Sequence, residues 1–283
     1  MSQRLIMTVH AHPDDESSKG AATIAKYRDL GVRSVLVSCT GGEEGEIVNN
    51  RVVLEAGESL GERRAKELDR ATAIIGYDVV ERLGYRDSGM PDMEANRSPE
   101  AFWNIPLEQS VGDLVRLVRL HRPSVLISYP DVQTEYPHPD HLRAHDIAFA
   151  AFDAAADPAA YPEYGEPHEV AKLYYTVWPA MRARKMHEKC AELGLTSPYE
   201  GERLTLIYRD EPFSTTIDID GYQMIRDEAL LAHATQIDPA SPWWFGLPEE
   251  IRHPIHPFEH YRLAKSRVGS IDGEETDLFE GME

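Results

Sequence analysis

The sequence predicts an α/β fold in which a mostly parallel sheet carries helices on both faces, with a smaller irregular C-terminal portion. Short apolar runs, such as LIMTV at residues 5–9 and SVLVSC at residues 34–39, alternate with helix-like stretches along the first half of the chain. Single helices between successive strands require right-handed crossovers, which make the strands parallel and cover both faces of the sheet. A Rossmann-like arrangement is therefore expected.

The individual elements follow from the same patterns. The predicted strands are residues 5–9, 34–39, 79–83, 124–128 and 173–177. The predicted helices are residues 19–30, 62–75, 106–120, 142–153, 179–193 and 222–235. Gly31 and Gly76 directly follow two of these helices, at the position where glycine favours a left-handed C-terminal cap.

The regularity weakens after residue 156, which divides the chain into three predicted regions. Residues 1–156 form a Rossmann-like core, residues 157–270 complete the fold and the substrate pocket, and residues 271–283 form an acidic tail. The last residues of a chain fray unless they are tied down, so the tail is expected to be disordered at its end.

Composition narrows the classes of partner. The 283 residues include 49 acidic and 29 basic side chains, which gives a net charge of −20. That charge repels phosphate backbones and anionic lipids, so neither nucleic acid nor a membrane is expected as a partner. No apolar run reaches the roughly 18 residues that a membrane-spanning helix needs, and a cytoplasmic location is expected. Cys39 and Cys190 offer no disulfide framework, and the oligomeric state is left open.

Two motifs rich in histidine and aspartate follow predicted strands. The first is HAHPDDES at residues 10–17, and the second is YPHPDH at residues 136–141. In open α/β sheets, ligands bind at the carboxyl ends of the strands, where both motifs lie. Clustered charges are costly without a partner, and two histidines with one aspartate are a common ligand set for catalytic zinc with one position open for water. A metal centre is therefore expected.

Spacing within the motifs indicates roles for their members. Asp14 and Asp15 are adjacent and point in different directions, so one can bind metal while the other accepts a proton from water as general base. His138 and His141 share a helix face, so one can bind metal while the other stabilises oxyanion charge. Asp140, which lies between them, can orient an imidazole.

Residues 11–16 and 136–141 resemble the two signature motifs of the PIG-L/LmbE-like deacetylase family, and the resemblance extends over residues 5–153. Members are metal-dependent hydrolases that remove acyl groups from amino sugars, usually with zinc and in some cases with iron(II). By position, the resemblance implies His12, Asp15 and His141 as metal ligands, Asp14 as general base, His138 as electrostatic stabiliser or acid, and Tyr136 as a donor that polarises the carbonyl.

Further segments resemble one subclass of this family, namely residues 10–21, 39–43 and 277–279. That subclass hydrolyses the amide between glucosaminyl-inositol and an S-substituted N-acetylcysteine. The resemblance therefore implies a small-molecule substrate, a thiol conjugate of a pseudo-disaccharide. Lys19 matches the lysine of the subclass and is expected to meet the cysteinyl substituent, whereas Glu46, Arg64 and Asp87 match positions that hold sugar and inositol hydroxyls.

Two alternatives stay open at this point. A related subclass deacetylates N-acetylglucosaminyl-inositol and has a small polar residue where this chain has Lys19. A non-catalytic sugar-binding module is the alternative from another class, although no candidate ligand or base is substituted in this chain. Trp243, Trp244 and Phe245 either form an apolar wall for a bulky S-substituent or belong to the core.

His10 and His145 are expected to lie outside the metal coordination. His10 shares a face with His12 only if the strand continues that far, and the turn begins between them. His145 is one helical turn beyond His141, further from the strand end. Three protein ligands already leave the open position that catalysis needs.

Overall fold

The computed structural model describes residues 4–133, 137–208, 210–269 and 273–282, without the side chain of Glu202. The strands are β1 (Leu5–His10), β2 (Arg33–Thr40), β3 (Val79–Tyr85), β4 (Val125–Ser128), β5 (Lys172–Val177), β6 (Thr215–Asp218) and β7 (Phe258–Ser266). The α-helices are α1 (Asp15–Ser18), α2 (Ala21–Asp29), α3 (Leu60–Ile75), α4 (Leu107–His121), α5 (Pro139–Ala154), α6 (Ala180–Glu192), α7 (Gln223–Ala232), α8 (Pro242–Phe245) and α9 (Glu249–Ile255). Short 3-10 helices cover Ala95–Arg97, Phe102–Asn104, Pro162–Tyr164 and Gly201–Ile207.

All seven strands belong to one sheet with the order β3-β2-β1-β4-β5-β7-β6. The first five strands of this order are parallel, whereas β7 pairs antiparallel with both β5 and β6. The order reverses between β1 and β4, so the carboxyl ends of these two neighbours form the crevice where ligands bind in such sheets. The predicted α/β class is confirmed.

Alternating side chains of β1 divide the core into two layers. Leu5, Met7 and Val9 pack with residues of α4 and α5 on one face of the sheet, and Ile6 packs with residues of α2, α3 and α7 on the other. Successive side chains of a strand point to opposite faces, so a strand that is apolar throughout needs helices on both sides. The described part of the chain has no helix long and apolar enough to span a membrane.

Local signals fix several helix ends. Ser59 and Glu62 form a reciprocal capping box at the start of α3, and Gly76 ends it with a φ of 91°. Helix α5 begins at Pro139, earlier than the predicted residue 142, because His138 caps it and proline is favoured in the first turn. His141 therefore lies inside the first turn of α5, directly at the crevice.

The expectation of a frayed C-terminal end is wrong for residues 273–282. Leu278 is 0% exposed and Phe279 is 1% exposed, and both pack into the layer formed by α2, α3 and α7. Glu275 pairs with the buried ammonium group of Lys172 on β5. The acidic segment is therefore tied to the sheet by apolar contacts and a buried ion pair.

Phe279→Ala is expected to lower the free energy of unfolding by about 3–5 kcal/mol, because it removes a buried aromatic side chain and leaves a cavity beside Tyr27. Urea unfolding of the variant measures the loss. The exposed Glu274→Ala is the matched control from the same segment and should change stability by less than about 0.5 kcal/mol. Equal stability of the Phe279 variant and the wild type would show that the segment does not hold the fold.

Candidate metal centre

The two motifs lie at the carboxyl ends of adjacent parallel strands. Strand β1 ends at His10, the chain turns through residues 11–14, and α1 begins at Asp15. Strand β4 ends at Ser128, and its following loop leads into α5, whose first turn contains His141. Because β1 and β4 are neighbours, the topology brings the two motifs together as predicted.

His12, Asp15 and His141 form one of two groups in the described residues that could hold a metal ion, each offering one atom within 4.8 Å of the others. Asp15 Oδ2 lies 3.5 Å from His12 Nδ1 and 3.4 Å from His141 Nε2. Ligand atoms bound tetrahedrally to zinc at about 2.0–2.1 Å are about 3.3–3.4 Å apart. The observed spacing therefore fits a tetrahedral metal ion better than direct hydrogen bonds.

The far side of each of these three groups is held by another residue. His12 Nε2 is 3.2 Å from Asp140 Oδ2, and His141 Nδ1 is 3.1 Å from Gln133 Oε1. Lys19 Nζ donates to Asp15 Oδ1 at 2.5 Å, whereas the Tyr129 hydroxyl donates at 2.7 Å to Oδ2, the oxygen that faces the two imidazoles. Ligands of metal sites are oriented in this way, through the atom that does not face the metal. The residues present therefore fit a bound metal ion.

The electrostatics of the group favour a positive charge at its centre. Burial lowers the pKa of His12, but hydrogen bonds from its ring to the carboxylates of Asp140, Asp15 and Asp87 outweigh burial and raise this pKa well above 6.5. Burial raises the pKa of Asp15, yet the charges of Lys19 and His141 hold it well below its ordinary value. A metal cation bound here would take the place of the proton on His12, because the same carboxylates stabilise either positive charge.

Asp14 occupies a strained turn beside the ligand group. Its φ of 109° is rare for a residue other than glycine, and such strain persists only where the surroundings enforce it. The Asp14 backbone N–H donates to Glu16 Oε2 at 2.9 Å, and its carboxylate lies 3.3 Å from Arg64 Nη2. Burial raises the pKa of Asp14, opposed by the charge of Arg64.

The support for this turn comes from a residue that the sequence did not reveal. His233 Nε2 lies 2.6 Å from Glu16 Oε1, and both side chains are fully buried. The charge of Glu16 outweighs burial and raises the pKa of His233. His233 directly follows α7, so no strand-end signal marks it, whereas Tyr129 could have been found as the polar residue that directly follows β4.

The remaining residues of the second motif surround His12. The His138 ring lies 4.5 Å from the His12 ring, and His138 Nδ1 accepts a hydrogen bond from the Asp140 backbone N–H at 3.2 Å. Burial and the charge of His12 lower the pKa of His138 to about 4. Asp140 also accepts a hydrogen bond from the Ser88 backbone N–H at 3.0 Å. Tyr136 lies outside the described residues.

Three of the four predicted substrate-binding residues contact the residues of the candidate site, whereas the fourth, Glu46, is exposed. Lys19 Nζ donates to Asp15 Oδ1 at 2.5 Å. Arg64 is buried and donates to the Gly42 and Pro13 carbonyls as well as to Asp14. Asp87 Oδ1 lies 3.6 Å from His12 Nε2. Glu46 is exposed, and its backbone carbonyl accepts from Gln236 at 2.9 Å.

The second group in the described residues that could hold a metal ion consists of His12, Asp87 and His138. It shares His12 with the first group, so the two describe neighbouring parts of one site. The Nε2 atom of His12 that faces Asp87 also faces Asp140, which makes it the outward nitrogen of that imidazole. The first group uses Nδ1 instead, which leaves Nε2 to be oriented by a carboxylate, as is usual for a histidine that binds metal.

Neither His10 nor His145 belongs to a possible metal-binding group in the described residues. His10 is 1% exposed and lies edge-on to the Tyr129 ring, with centroids 5.8 Å apart. His145 Nδ1 lies 3.0 Å from the Tyr129 carbonyl oxygen. Both histidines therefore pack around Tyr129, and their exclusion from the metal stays a prediction.

The paired tryptophans Trp243 and Trp244 contact a third tryptophan, Trp178, and do not themselves line the cavity. Trp243 packs against the C-terminal cluster that includes Met186 and Tyr199. Trp243 and Trp244 contact Trp178, with ring centroids 6.3 Å and 6.0 Å apart, and Trp178 lines the cavity next to Lys19. Trp243 therefore fits the core alternative, and it is Trp178 rather than Trp243, Trp244 or Phe245 that lines the cavity.

Comparisons with known proteins agree with this geometry. The family profile described as "PIG-L: GlcNAc-PI de-N-acetylase" matches residues 7–152. The chain is 43% identical to the mycothiol S-conjugate amidase of Streptomyces coelicolor, over 99% of this chain and 98% of that protein. It is 40% identical to the 1D-myo-inositol 2-acetamido-2-deoxy-alpha-D-glucopyranoside deacetylase of Geodermatophilus obscurus, over 99% of this chain and 98% of that one.

Among solved structures, the fold is similar to that of N,N'-diacetylchitobiose deacetylase from Pyrococcus horikoshii, with a TM-score of 0.64 and 16% identity. The alignment covers 93% of this chain and 84% of that one. The profile match and the two relatives, together with a His/Asp group that could hold a metal ion, place the chain in a family of deacetylases and amidases. The chain belongs to the PIG-L family.

Proposed function

We propose that the chain is a metal-dependent amidase that hydrolyses the amide between glucosaminyl-inositol and the S-substituted N-acetylcysteine of mycothiol S-conjugates. The observation that carries the proposal is the convergence of His12, Asp15 and His141 beside Asp14, with a cavity that opens at Lys19. A cavity at that point gives room for an acyl group larger than acetyl. The similarity to the amidase of Streptomyces coelicolor over nearly the whole chain supports the same substrate class.

His12 Nδ1, Asp15 Oδ2 and His141 Nε2 would hold the metal. Zinc is the first choice and iron(II) the alternative, since two imidazoles with one carboxylate suit several divalent metals. A divalent cation bound there polarises a carbonyl group and lowers the pKa of water to about 7.

The residues around the ligands supply the proton transfers and the charge stabilisation. Asp14 accepts the proton of the attacking water, and Arg64 holds its carboxylate in place. Because His138 Nδ1 accepts the Asp140 N–H, His138 Nε2 carries the proton and donates it in a hydrogen bond to the amide oxygen as negative charge develops. Tyr136 is the second donor, and the leaving amine takes from Asp14 the proton that Asp14 accepted from water, because the neutral His138 keeps its proton.

Deacetylation of N-acetylglucosaminyl-inositol is the second candidate function. It uses the same residues and differs only in the size of the acyl group. The observation in its favour is the 40% identity to a deacetylase of that kind, which is close to the 43% identity to the amidase. Lys19 and the cavity beside it favour the amidase.

Rates on a bimane conjugate of mycothiol and on the acetylated glucosaminyl-inositol, measured side by side, test the choice. We expect kcat/KM to be at least about tenfold higher for the conjugate, because only the larger acyl group fills the cavity. Lys19→Ser should lower the ratio of kcat/KM for the conjugate to kcat/KM for the acetyl sugar. Lys26→Ser is the control and should keep this ratio, because Lys26 lies on α2 and donates to the Asp218 carbonyl. A higher kcat/KM for the acetyl sugar in the wild type would overturn the amidase assignment.

A further inference from the structure

A cavity of about 70 Å³ is lined by Lys19 and by three arginines. A single water needs only about 10–15 Å³, so the cavity has room for a small polyatomic group. Lys19, one of its lining residues, contacts the candidate metal ligand Asp15 at 2.5 Å. Arg182, Arg226 and Arg252 also line it.

Two of these three arginines lack a close carboxylate. Arg252 donates to both oxygens of Asp227, at 2.9 Å and 2.7 Å. Arg226 reaches the same carboxylate only at 3.9 Å. No ion pair of Arg182 is found in the described chain, and its guanidinium carbon lies 4.9 Å from the centroid of the Trp178 ring. In a chain with a net charge of −20, two such guanidinium groups beside one cavity call for an explanation.

Three buried nitrogen atoms of cavity-lining residues have no hydrogen-bond partner in the described chain. They are Arg226 Nη2, Arg252 Nε and His256 Nδ1. The Arg226 side chain is 11% exposed, and burial together with the charge of Arg182 lowers its pKa to about 10. Buried polar groups in native proteins are nearly always paired, so unpaired donors around a cavity indicate a ligand that accepts from them.

Glu259 is the acidic residue on the cavity wall. Its Oε2 atom accepts hydrogen bonds from the Thr23 backbone N–H at 3.0 Å and from the Thr23 hydroxyl at 2.6 Å. A single carboxylate held by Thr23 offsets one positive charge at most. The positive charges of Arg182 and Arg226 therefore exceed the negative charge available to them.

We propose that this cavity binds a carboxylate carried by the S-substituent of the substrate, with Arg226 and Arg182 as the recognising residues. The proposal rests on the proposed function, because Lys19 both lines the cavity and contacts the candidate ligand Asp15. The predicted sugar-binding residues Arg64 and Asp87 contact other residues of the centre, Asp14 and His12. A planar guanidinium matches a carboxylate with two parallel hydrogen bonds, which gives geometric selectivity as well as affinity.

The test compares two S-conjugates of nearly equal size, S-carboxymethyl and S-carbamidomethyl. We expect the wild type to prefer the carboxylate by about tenfold or more in kcat/KM, the effect of one hydrogen-bonded charge pair. Arg226→Met and Arg182→Met should each bring this ratio below about threefold. Arg184→Met, on the same helix as Arg182 but bound to the Ile207 carbonyl, should keep it. Equal wild-type rates on both conjugates, or an unchanged ratio in Arg226→Met, would overturn the proposal.

Anion binding without turnover separates this proposal from the proposed function. Acetate should raise the Tm of the wild type more than chloride at equal ionic strength, and Arg226→Met should abolish the difference. Acetate binding that depends on Arg226, without hydrolysis of any conjugate, would leave the cavity as a site for a free carboxylate and refute the substrate assignment. Because Arg226 has no close carboxylate, Arg226→Met should not lower the Tm by much, and a large fall would assign Arg226 a structural role instead.

Discussion

Asp14→Asn is expected to keep the bound metal and to lose turnover by a factor of about 10²–10⁴. Asparagine has nearly the same shape as aspartate but cannot accept the proton of the attacking water. Asp14 does not belong to either possible metal-binding group of the described residues, so metal content should not change. Single-turnover rates and elemental analysis of the same preparation measure the two effects.

The control for this variant is Asp29→Asn, an exposed aspartate at the end of α2 that should hydrolyse substrate at the wild-type rate. Asp14→Ala should lose turnover to a similar degree, since it also removes the base. Hydrolysis by either Asp14 variant at the wild-type rate would show that another group takes the proton. The base would then have to be sought among the other carboxylates near His12.

Alanine substitution of His12, Asp15 or His141 should remove most of the bound metal and with it the activity. Each of these variants deletes one of the three protein ligands, and the two that remain no longer form the three-ligand group whose spacing fits a tetrahedral ion. Elemental analysis of protein purified without chelator measures the loss. Circular dichroism should show that the sheet is kept, because the ligands lie in loops and first helical turns rather than in strands.

His10→Ala and His145→Ala are the matched controls, because both histidines contact Tyr129, through its ring and its carbonyl oxygen, and neither belongs to a possible metal-binding group of the described residues. Both variants should retain the metal. Retention of metal by His141→Ala together with its loss by His145→Ala would show that the wrong imidazole of α5 has been chosen.

The parts of the fold that depend on short-range patterns were predictable from the sequence. The apolar run of β1 and the glycine after α3 each reflect neighbours within a few residues, and the structure confirms both. Strands β6 and β7 were missed because polar residues interrupt their apolar pattern: the edge strand β6 carries Thr and Asp, and the partly exposed β7 carries Glu, Arg and Lys.

The same distinction between local patterns and long-range contacts applies to the candidate site. His12, Asp15 and His141 belong to motifs that end adjacent strands, so their proximity followed from strand order. The contact between His233 and Glu16 joins residues 217 positions apart, and that between Lys172 and Glu275 joins residues 103 apart. No local pattern specifies such pairs, because each depends on how the C-terminal portion packs against the core.

The central claim, metal-dependent hydrolysis of an amide at this site, is tested most directly by the rate of the chelator-treated protein before and after a metal is returned. We expect no hydrolysis of the mycothiol conjugate after chelation and full recovery with about one equivalent of zinc or iron(II) per chain. Undiminished hydrolysis by protein free of transition metal would contradict the claim. So would a protein that binds the sugar and stays inactive with either metal, which is the behaviour of a sugar-binding module.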